Sequence, residues 1–503
     1  MPLITSIVNK FLLPRQRELE KYLNEAERLQ RSVLAQLLRS AMDTEYGKKH
    51  NFSSVNGYED FIRHVLINSY EDLKDDINRM RHGGRDILWP GRTRWYAVSS
   101  GTTSDKQKFI PVSREGLRRI HCAGGFDTVA IYLRNNPHSH LLDGHGLVLG
   151  GSYKENLCLK ESVAGDLSAI MIDKNVHPVA NMVRVPKYST ALMADFEQKC
   201  ERIVRETMHK RVTSLSGAPS WMLSVLTRML DVTGKTHIDE VWPDIEVFFH
   251  GGVAFTPYRD YYHRIITSPN MHYMETYNAS EGFFGIQDDP ADKSLLLLID
   301  RDVFYEFIPV EGGEAVPLWA VETGKNYAIV ITTSCGLWRY IIGDTVRFTA
   351  KNPYKFIITG RTKHFINAFG EELVIDNAEQ ALAYACQQTH AEVLEYTAAP
   401  VFIDEHTKGC HQWLIEFSRP PDYLHQFASH LDKRLQELNG DYEVRRHNDT
   451  TIQFPEIIVA RPNLFKDWLK MHGKLGGQHK VPRLSNTRKT LEQLLELNKK
   501  HPI

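Results

Sequence analysis

Trp95-Tyr96-Ala97-Val98-Ser99-Ser100-Gly101-Thr102-Thr103-Ser104-Asp105-Lys106-Gln107-Lys108 is the stretch on which the reading of this chain turns. A short apolar run ends in small hydroxyl residues and a glycine, which exposes backbone N–H groups and side-chain donors in one loop. Such a loop wraps an anion such as a triphosphate, with Lys108 as a point charge. Taken alone, it serves equally well as a solvent-exposed turn. It is not a Walker A loop, because Gly-x-x-x-x-Gly-Lys-Ser/Thr occurs nowhere in the chain.

Around this stretch, short apolar runs alternate with helical patterns. Leu147–Leu149 before Gly150-Gly151, Ile245–Phe249 before Gly251-Gly252, and Tyr327–Ile331 read as buried strands. Helix-like spacing covers 113–134, 190–212 and 258–268, and an amphipathic helix beginning at Pro14 covers 14–42. Strands alternating with helices predict α/β layers. Beyond about residue 362 the pattern changes to a helix at 375–389, strands at 392–403 and 411–417, and a helix at 422–438. Further strands are expected at 442–446 and 455–460. This is a smaller α+β unit, joined at Gly360-Arg361-Thr362-Lys363, and a ligand cleft is expected between a large and a small domain.

Composition narrows the function. The 503 residues carry 61 Lys+Arg and 62 Asp+Glu, a formal charge of −1, with 42% hydrophobic and 24% charged residues. That balance is ordinary for a soluble globular chain and argues against affinity through phosphate neutralisation on nucleic acid. No apolar run reaches the ~18–20 residues of a membrane span. The opening Met1-Pro2-Leu3-Ile4-Thr5-Ser6 places no basic region ahead of its apolar stretch, so it reads poorly as a signal peptide and cytoplasmic residence is expected. Six scattered cysteines without a Cys-x-x-Cys pair are expected to be reduced, mostly packed as small hydrophobes.

Further motifs follow the first loop in order. In Phe249-His250-Gly251-Gly252-Val253-Ala254-Phe255, two glycines after a strand let backbone approach a flat ligand, or simply make a tight turn. Thr276-Tyr277-Asn278-Ala279-Ser280-Glu281-Gly282 offers an aromatic ring and a carboxylate, although a lone Glu after Ser also suits a helix N-terminus. Gly336-Leu337-Trp338-Arg339-Tyr340-Ile341-Ile342-Gly343-Asp344 ends in a Gly-Asp pair that offers a two-oxygen hydrogen-bond acceptor or makes a hairpin turn. Gly360-Arg361 and Gly476-Gly477-Gln478-His479-Lys480-Val481-Pro482-Arg483 complete the set.

Together these segments resemble the adenylate-forming superfamily, and specifically its acyl acid amido synthetases, the auxin-responsive-promoter or Gretchen Hagen family. The likeness runs over nearly the whole chain. It implies a large N-terminal α/β adenylation domain of firefly-luciferase-like type at 1–362. A small mobile α+β domain would follow at 363–503, swinging on a hinge near 361–364. It also implies ATP and Mg²⁺, with Ser99, Ser100, Gly101, Thr102, Thr103 and Lys108 on phosphate. Gly251, Gly252, Val253, Thr276, Tyr277 and Ser280 would lie against the nucleotide, Tyr277 stacking on adenine. Glu281 would hold the metal, Asp344 the ribose, Arg361 ribose or phosphate, and Lys480 would be delivered to the reacting centre. Phe126, Phe283 and Phe284 are expected at the acyl pocket by the same analogy. Asn278 stands where the superfamily has Gly, and Ile341 replaces an arginine of the plant pattern.

The implied reaction joins a small carboxylic acid to an amino acid through an acyl adenylate. The alternatives are an acyl-CoA synthetase using the same adenylate, or a nucleotide-binding regulatory protein without turnover. No nucleic-acid or membrane partner is expected. His138, His140 and His145 read as solvated loop histidines rather than a metal site, and Gly144-His145-Gly146 with Gly150 has the wrong spacing for a dinucleotide fingerprint. No Gly-x-Ser-x-Gly elbow supports a serine hydrolase.

Overall fold

The computed structural model describes residues 3–99, 108–174, 183–252, 255, 258–361, 365–366, 368, 371, 373–401, 409–439, 442–443, 446, 452–472 and 480–500. The chain divides into two compact units. One comprises Met1–Val253, Arg264–Ile342 and Val346–Ile357; the other comprises Ala254–His263, Gly343–Thr345 and Ile358–Ile503.

In the first unit, strands β1 (Trp95–Ser99), β2 (Lys108–Val112), β3 (His145–Val148), β4 (Val163–Gly165), β5 (Arg184–Val185), β6 (Val212–Gly217), β7 (Val247–Gly251) and β8 (His272–Ala279) alternate with helices. They are followed by β9 (Gly282–Ile286), β10 (Leu295–Leu297), β11 (Val303–Pro309), β12 (Val316–Pro317) and β13 (Asn326–Thr333), and then by β14 (Tyr340–Lys351) and β15 (Tyr354–Arg361), of which Gly343–Thr345 and Ile358–Arg361 group with the second unit. A 12-stranded sheet has the order β12-β11-β13-β14-β15-β10-β9-β8-β7-β6-β3-β5, and a separate sheet has the order β2-β1-β4. From β5 through β3, β6 and β7 to β8 every pairing is parallel, and β8–β9, β9–β10 and β10–β15 are antiparallel. The parallel half follows from the expected strand–helix alternation, because a helical crossover returns the chain in the same direction.

Local chemistry sets the helix ends. Ser69 and Asp72 form a capping box on Tyr70–Arg81. Asp195 accepts from the Gln198 amide at 3.0 Å to start Phe196–Thr207. Pro219 opens Pro219–Thr233, which stops at Gly234 in the left-handed region. The expected helix at 190–212 is therefore two pieces, Tyr188–Ala191 and Phe196–Thr207, with a strand beginning at Val212. The helix expected from Pro14 across 14–42 is also two, Leu3–Glu20 and Ala26–Ala41, joined by a tight turn at Lys21–Leu23, and Pro14 lies inside the first. Leu19, Tyr22 and Ala26 stay buried in line across the break, so the periodicity reports the buried stripe rather than unbroken hydrogen bonding.

The second unit contains β16 (Phe365–Ile366), β17 (Leu373–Val374), β18 (Glu392–Val401), β19 (Cys410–Arg419) and β20 (Glu456–Ala460). β19 pairs antiparallel with β18 and parallel with β20. Alternate side chains feed two cores: Ala398, Trp413 and Ile415 join Phe427 and Leu431, while Ala399 and Leu414 join Leu464 and Trp468. The strand expected at 442–446 is not formed; Tyr442, Glu443 and Arg446 are helical, and Tyr442 and Arg446 bind the Asp432 carboxylate at 2.7 and 2.8 Å. All six cysteines are free, with Cys200 and Cys335 buried and the other four half-buried. No helix among the described residues is long and apolar enough to cross a membrane.

Candidate functional site

The carboxyl ends of four parallel strands line up. The register pairs Val148 with Ser216, Gly217 with His250, and Gly251 with Thr276. Ligands of open α/β sheets bind at such strand ends. Two glycines here are sterically required. A Cβ on Gly251 would lie 2.3 Å from the Thr276 carbonyl oxygen, and Gly252 has φ +80°. Thr276 Oγ1 donates to the His250 carbonyl at 3.2 Å, tying β8 to β7 at the glycine pair.

Past Thr276, β8 turns into β9 through Ser280 and Glu281, both buried. Glu281 therefore sits in a hairpin turn and not at a helix start. Tyr277 packs on Phe284 with ring centroids 5.0 Å apart, and Phe284 is fully buried against Tyr305 as well. Successive strand residues face opposite sides, and Phe283 faces the helix Ala123–Asn135, where a Cβ on Gly124 would come within 2.3 Å of its ring. Phe283 and Phe284 consequently do not line one pocket; Phe284 belongs to the aromatic core with Tyr277. Phe126, on the same helix as Gly124, is 44% exposed.

Ser99 and Lys108 are paired partners at the end of the β1–β2 ladder from which the chain leaves β1 and enters β2. Lys108 Nζ stands 5.8 Å from the Tyr70 ring centroid, and Tyr70 Oη accepts from the Phe109 amide at 2.9 Å. Ser100, Gly101, Thr102, Thr103 and Val253 lie outside the described residues, as do 362–364 of the expected hinge and the side chain of Arg361.

Asp344 is buried within β14, so Gly343-Asp344 is strand and not a hairpin turn. Beside it in the second unit, Thr359 Oγ1 donates to Thr345 Oγ1 at 3.0 Å. Lys480 belongs to the second unit and is exposed. His138 and His140 are exposed, His140 Nδ1 lies 3.2 Å from Asp143, and among the described residues no group of three or more His, Cys, Asp or Glu is arranged to hold a metal ion. Glu281 thus offers a single buried carboxylate, which suits a hard cation held chiefly by phosphate oxygens and water.

Two buried groups escaped the sequence reading. Lys199 is 1% exposed and donates to the carbonyls of Gly150 at 2.8 Å and Gly151 at 3.2 Å, just past β3. Burial pushes its ammonium down to about 8. A lysine in the stripe Lys199, Cys200, Ile203, Val204 carries no motif, although its apolar spacing was the available signal. His121 lies in a widened π-helical turn, Leu117–Cys122, inside the helix expected at 113–134. Neither ring nitrogen has a hydrogen-bond partner, and burial pushes the imidazole down to about 4, so it is neutral at pH 7.

These positions can be set beside known proteins. The chain matches the GH3 family N-terminal domain over residues 15–271, the GH3 family central domain over 296–361 and the GH3 family C-terminal domain over 376–489. It is 23% identical to the Arabidopsis thaliana protein "Probable indole-3-acetic acid-amido synthetase GH3.1", covering 95% of this chain and 92% of that one. It is also 23% identical to "Indole-3-acetic acid-amido synthetase GH3.8" of Oryza sativa subsp. indica, covering 93% and 89%. Among solved structures, "GH3.15 acyl acid amido synthetase" shares the fold with a TM-score of 0.79 at 20% identity, covering 97% of this chain and 96% of that one. A 2-hydroxyisobutyryl-CoA ligase in the postadenylation state shares it with a TM-score of 0.62 at 14% identity over 94% and 92%. With the N-terminal family model alone spanning more than half of its length, the chain belongs to the GH3 family.

Proposed function

We propose that this protein is an ATP-dependent acyl acid amido synthetase that adenylates a small carboxylic acid and transfers the acyl group to an amino acid. The observation carrying this reading is the alignment of the β3, β6, β7 and β8 ends, with Gly251 and Thr276 in contact and a buried Glu281 in the next turn. GH3 membership and the full-length match to relatives named as amido synthetases support it.

A carboxylate is a poor acylating agent because oxide or hydroxide leaves badly. In the first half-reaction a carboxylate oxygen attacks the α-phosphorus of ATP, the bond to pyrophosphate breaks, and an acyl adenylate forms. The amine then attacks the acyl carbonyl, AMP leaves with the bonding electrons, and the amine gives up a proton. The protein's part in the first step is to hold two anions that otherwise repel each other in line. Ser99, Ser100, Gly101, Thr102, Thr103 and Lys108 take the phosphates in this reading. Gly251, Gly252, Val253, Thr276, Tyr277 and Ser280 face the nucleoside, Asp344 accepts from the ribose hydroxyls, and Arg361 reaches ribose or phosphate. When bound to Glu281, Mg²⁺ neutralises phosphate charge. Lys480 stabilises charge at the reacting centre, brought there by a domain at 363–503 moving on a hinge near 361–364. Phe126 and Phe283, on the Gly124 side of β9, border the acyl group. Free thiols and the absence of a long apolar helix among the described residues suit a cytoplasmic enzyme.

Pyrophosphate exchange with a panel of small carboxylic acids tests the reading, followed by trapping with amino acids or coenzyme A. Exchange followed by amide formation is expected. Thioester without amide would make the chain an acyl-CoA synthetase, and no exchange with any acid would leave it a nucleotide-binding protein.

A further inference from the structure

Arg81 closes the helix Tyr70–Arg81 and is only 8% exposed. Its guanidinium carbon stands 3.4 Å from the centroid of the Phe109 ring. Nη2 donates to the Leu157 carbonyl at 2.9 Å, and the buried Nε has no hydrogen-bond partner. The nearby acids are used elsewhere: Glu71 pairs with Lys74, Asp76 with Arg79 and Glu161 with Arg92. Among the described residues no carboxylate forms an ion pair with Arg81. Burial pulls the guanidinium down, and the groups opposing this are Tyr70, Tyr96 and Cys158, none of them an acid.

A cation at a helix C-terminus gains from the helix dipole, but the exposed Arg79 already fills that role without burial. A buried charge without a counter-charge is costly, so its retention points to a use beyond the fold. What lies beside it is the start of β2. Phe109 follows Lys108, and its amide donates to Tyr70 Oη at 2.9 Å. Lys108 Nζ stands 5.8 Å from the same Tyr70 ring. Tyr70 and Arg81, at the two ends of one helix, thus both hold the residue next to Lys108.

We propose that Arg81 is a positioning residue for the polyphosphate of ATP, keeping an unpaired positive charge on Phe109 behind Lys108 so that each added phosphate is favoured. This rests on the reading of the Ser99–Lys108 loop as the phosphate loop. Coulomb's law over about 10 Å at an effective dielectric constant of about 20 bounds the effect at about tenfold per charge, and solvent at the loop reduces it. Calorimetric titration of the full chain with AMP, ADP and ATP tests the proposal. Arg81→Met, which keeps an apolar stem on Phe109 and removes the charge, weakens ATP by about three- to tenfold, ADP by less and AMP by least. Arg81→Gln, which can still donate to the Leu157 carbonyl, gives the same graded loss. Arg81→Lys, which keeps the charge and loses the stacked guanidinium, stays nearer the wild type. An equal loss for all three nucleotides in Arg81→Met and Arg81→Gln, or a loss of ATP affinity in Arg81→Lys as large as theirs, makes the role structural and overturns the proposal. A wild-type preference for ATP that Arg81→Met retains in full removes Arg81 alone, whereas a wild type with no preference among the three nucleotides removes the phosphate-loop reading as well.

Discussion

Asp127 and Glu281 are both buried carboxylates of the first unit, and they are buried for different reasons. Asp127 accepts from Arg15 Nε and Nη2 at 2.8 Å each and from Arg301 Nε and Nη2 at 2.7 and 2.5 Å, so every lone pair is used by charged donors. Arg15 also reaches Asp300 at 2.5 Å, which joins three distant segments into one cluster. Asp127→Asn leaves two guanidinium groups facing Asp300 and the more exposed Glu18, without the buried anion between them. A loss of about 3–5 kcal/mol is expected, seen as a lower urea midpoint. Glu281 has the opposite signature in the proposed reading: Glu281→Gln leaves the urea midpoint near the wild type and lowers pyrophosphate exchange by about 10²–10³-fold. Exchange that persists at wild-type rate across a magnesium titration removes Glu281 from the metal. The sequence singles out Glu281 as a candidate because it sits in an ordered series of motifs. Asp127 is not singled out, because nothing in a linear pattern connects Arg15, Asp127 and Arg301.

Strand ends were the most readable elements. Gly251 marks a point where two backbones approach too closely for a Cβ, and composition alone points there. Gly251→Ala forces the methyl toward the Thr276 carbonyl, so β7 and β8 must part. The expected cost is about 1–3 kcal/mol, with ATP affinity falling by about tenfold or more in a direct binding titration. Helix interiors were less readable. The spacing at 113–134 announces a helix but not its π-helical turn, because that turn answers to the packing of Gly116 on Cys335 and Gly124 on Phe283, contacts far away in sequence. Lys199 is the clearest case of tertiary structure overriding type, since a lysine in an apolar stripe is tolerated only because two glycine carbonyls receive it. Its folded value of about 8 lies below the ~10.4 of an unfolded lysine, so between these the folded chain has released a proton that the unfolded chain keeps. Stability from this group therefore rises with pH across that window and is absent below it. Lys199→Met strands the two carbonyls at a cost of about 1–3 kcal/mol and abolishes that slope. Urea midpoints of both proteins at pH 7 and pH 9.5 should diverge, the wild type gaining on the variant as pH rises.

At the scale of the whole chain, the α/β layers and the smaller α+β unit follow from element order, whereas membership of the units does not. Ala254–His263 and Gly343–Thr345 belong with the second unit although both precede its main segment, Ile358–Ile503. Asp344 thereby groups with Lys480, and Glu281 with Gly251 and Lys108, a division that spacing along the chain cannot express. If the two half-reactions use different arrangements of a mobile small domain, residues of that domain should affect the halves unequally. Lys480→Ala is the direct probe, because its proposed work is confined to charge building at the α-phosphate. Replacing an electrostatic stabiliser of that kind costs about 10²–10³-fold in the step it serves. Pyrophosphate exchange should fall by that factor in the variant. Amide formation from a preformed acyl adenylate and an amino acid, followed by single-turnover release of AMP, should proceed within about twofold of the wild type, since that step breaks no bond between phosphates. Equal losses in both assays would mean that Lys480 serves one arrangement common to the two steps, and a loss confined to amide formation would assign it to the acceptor side.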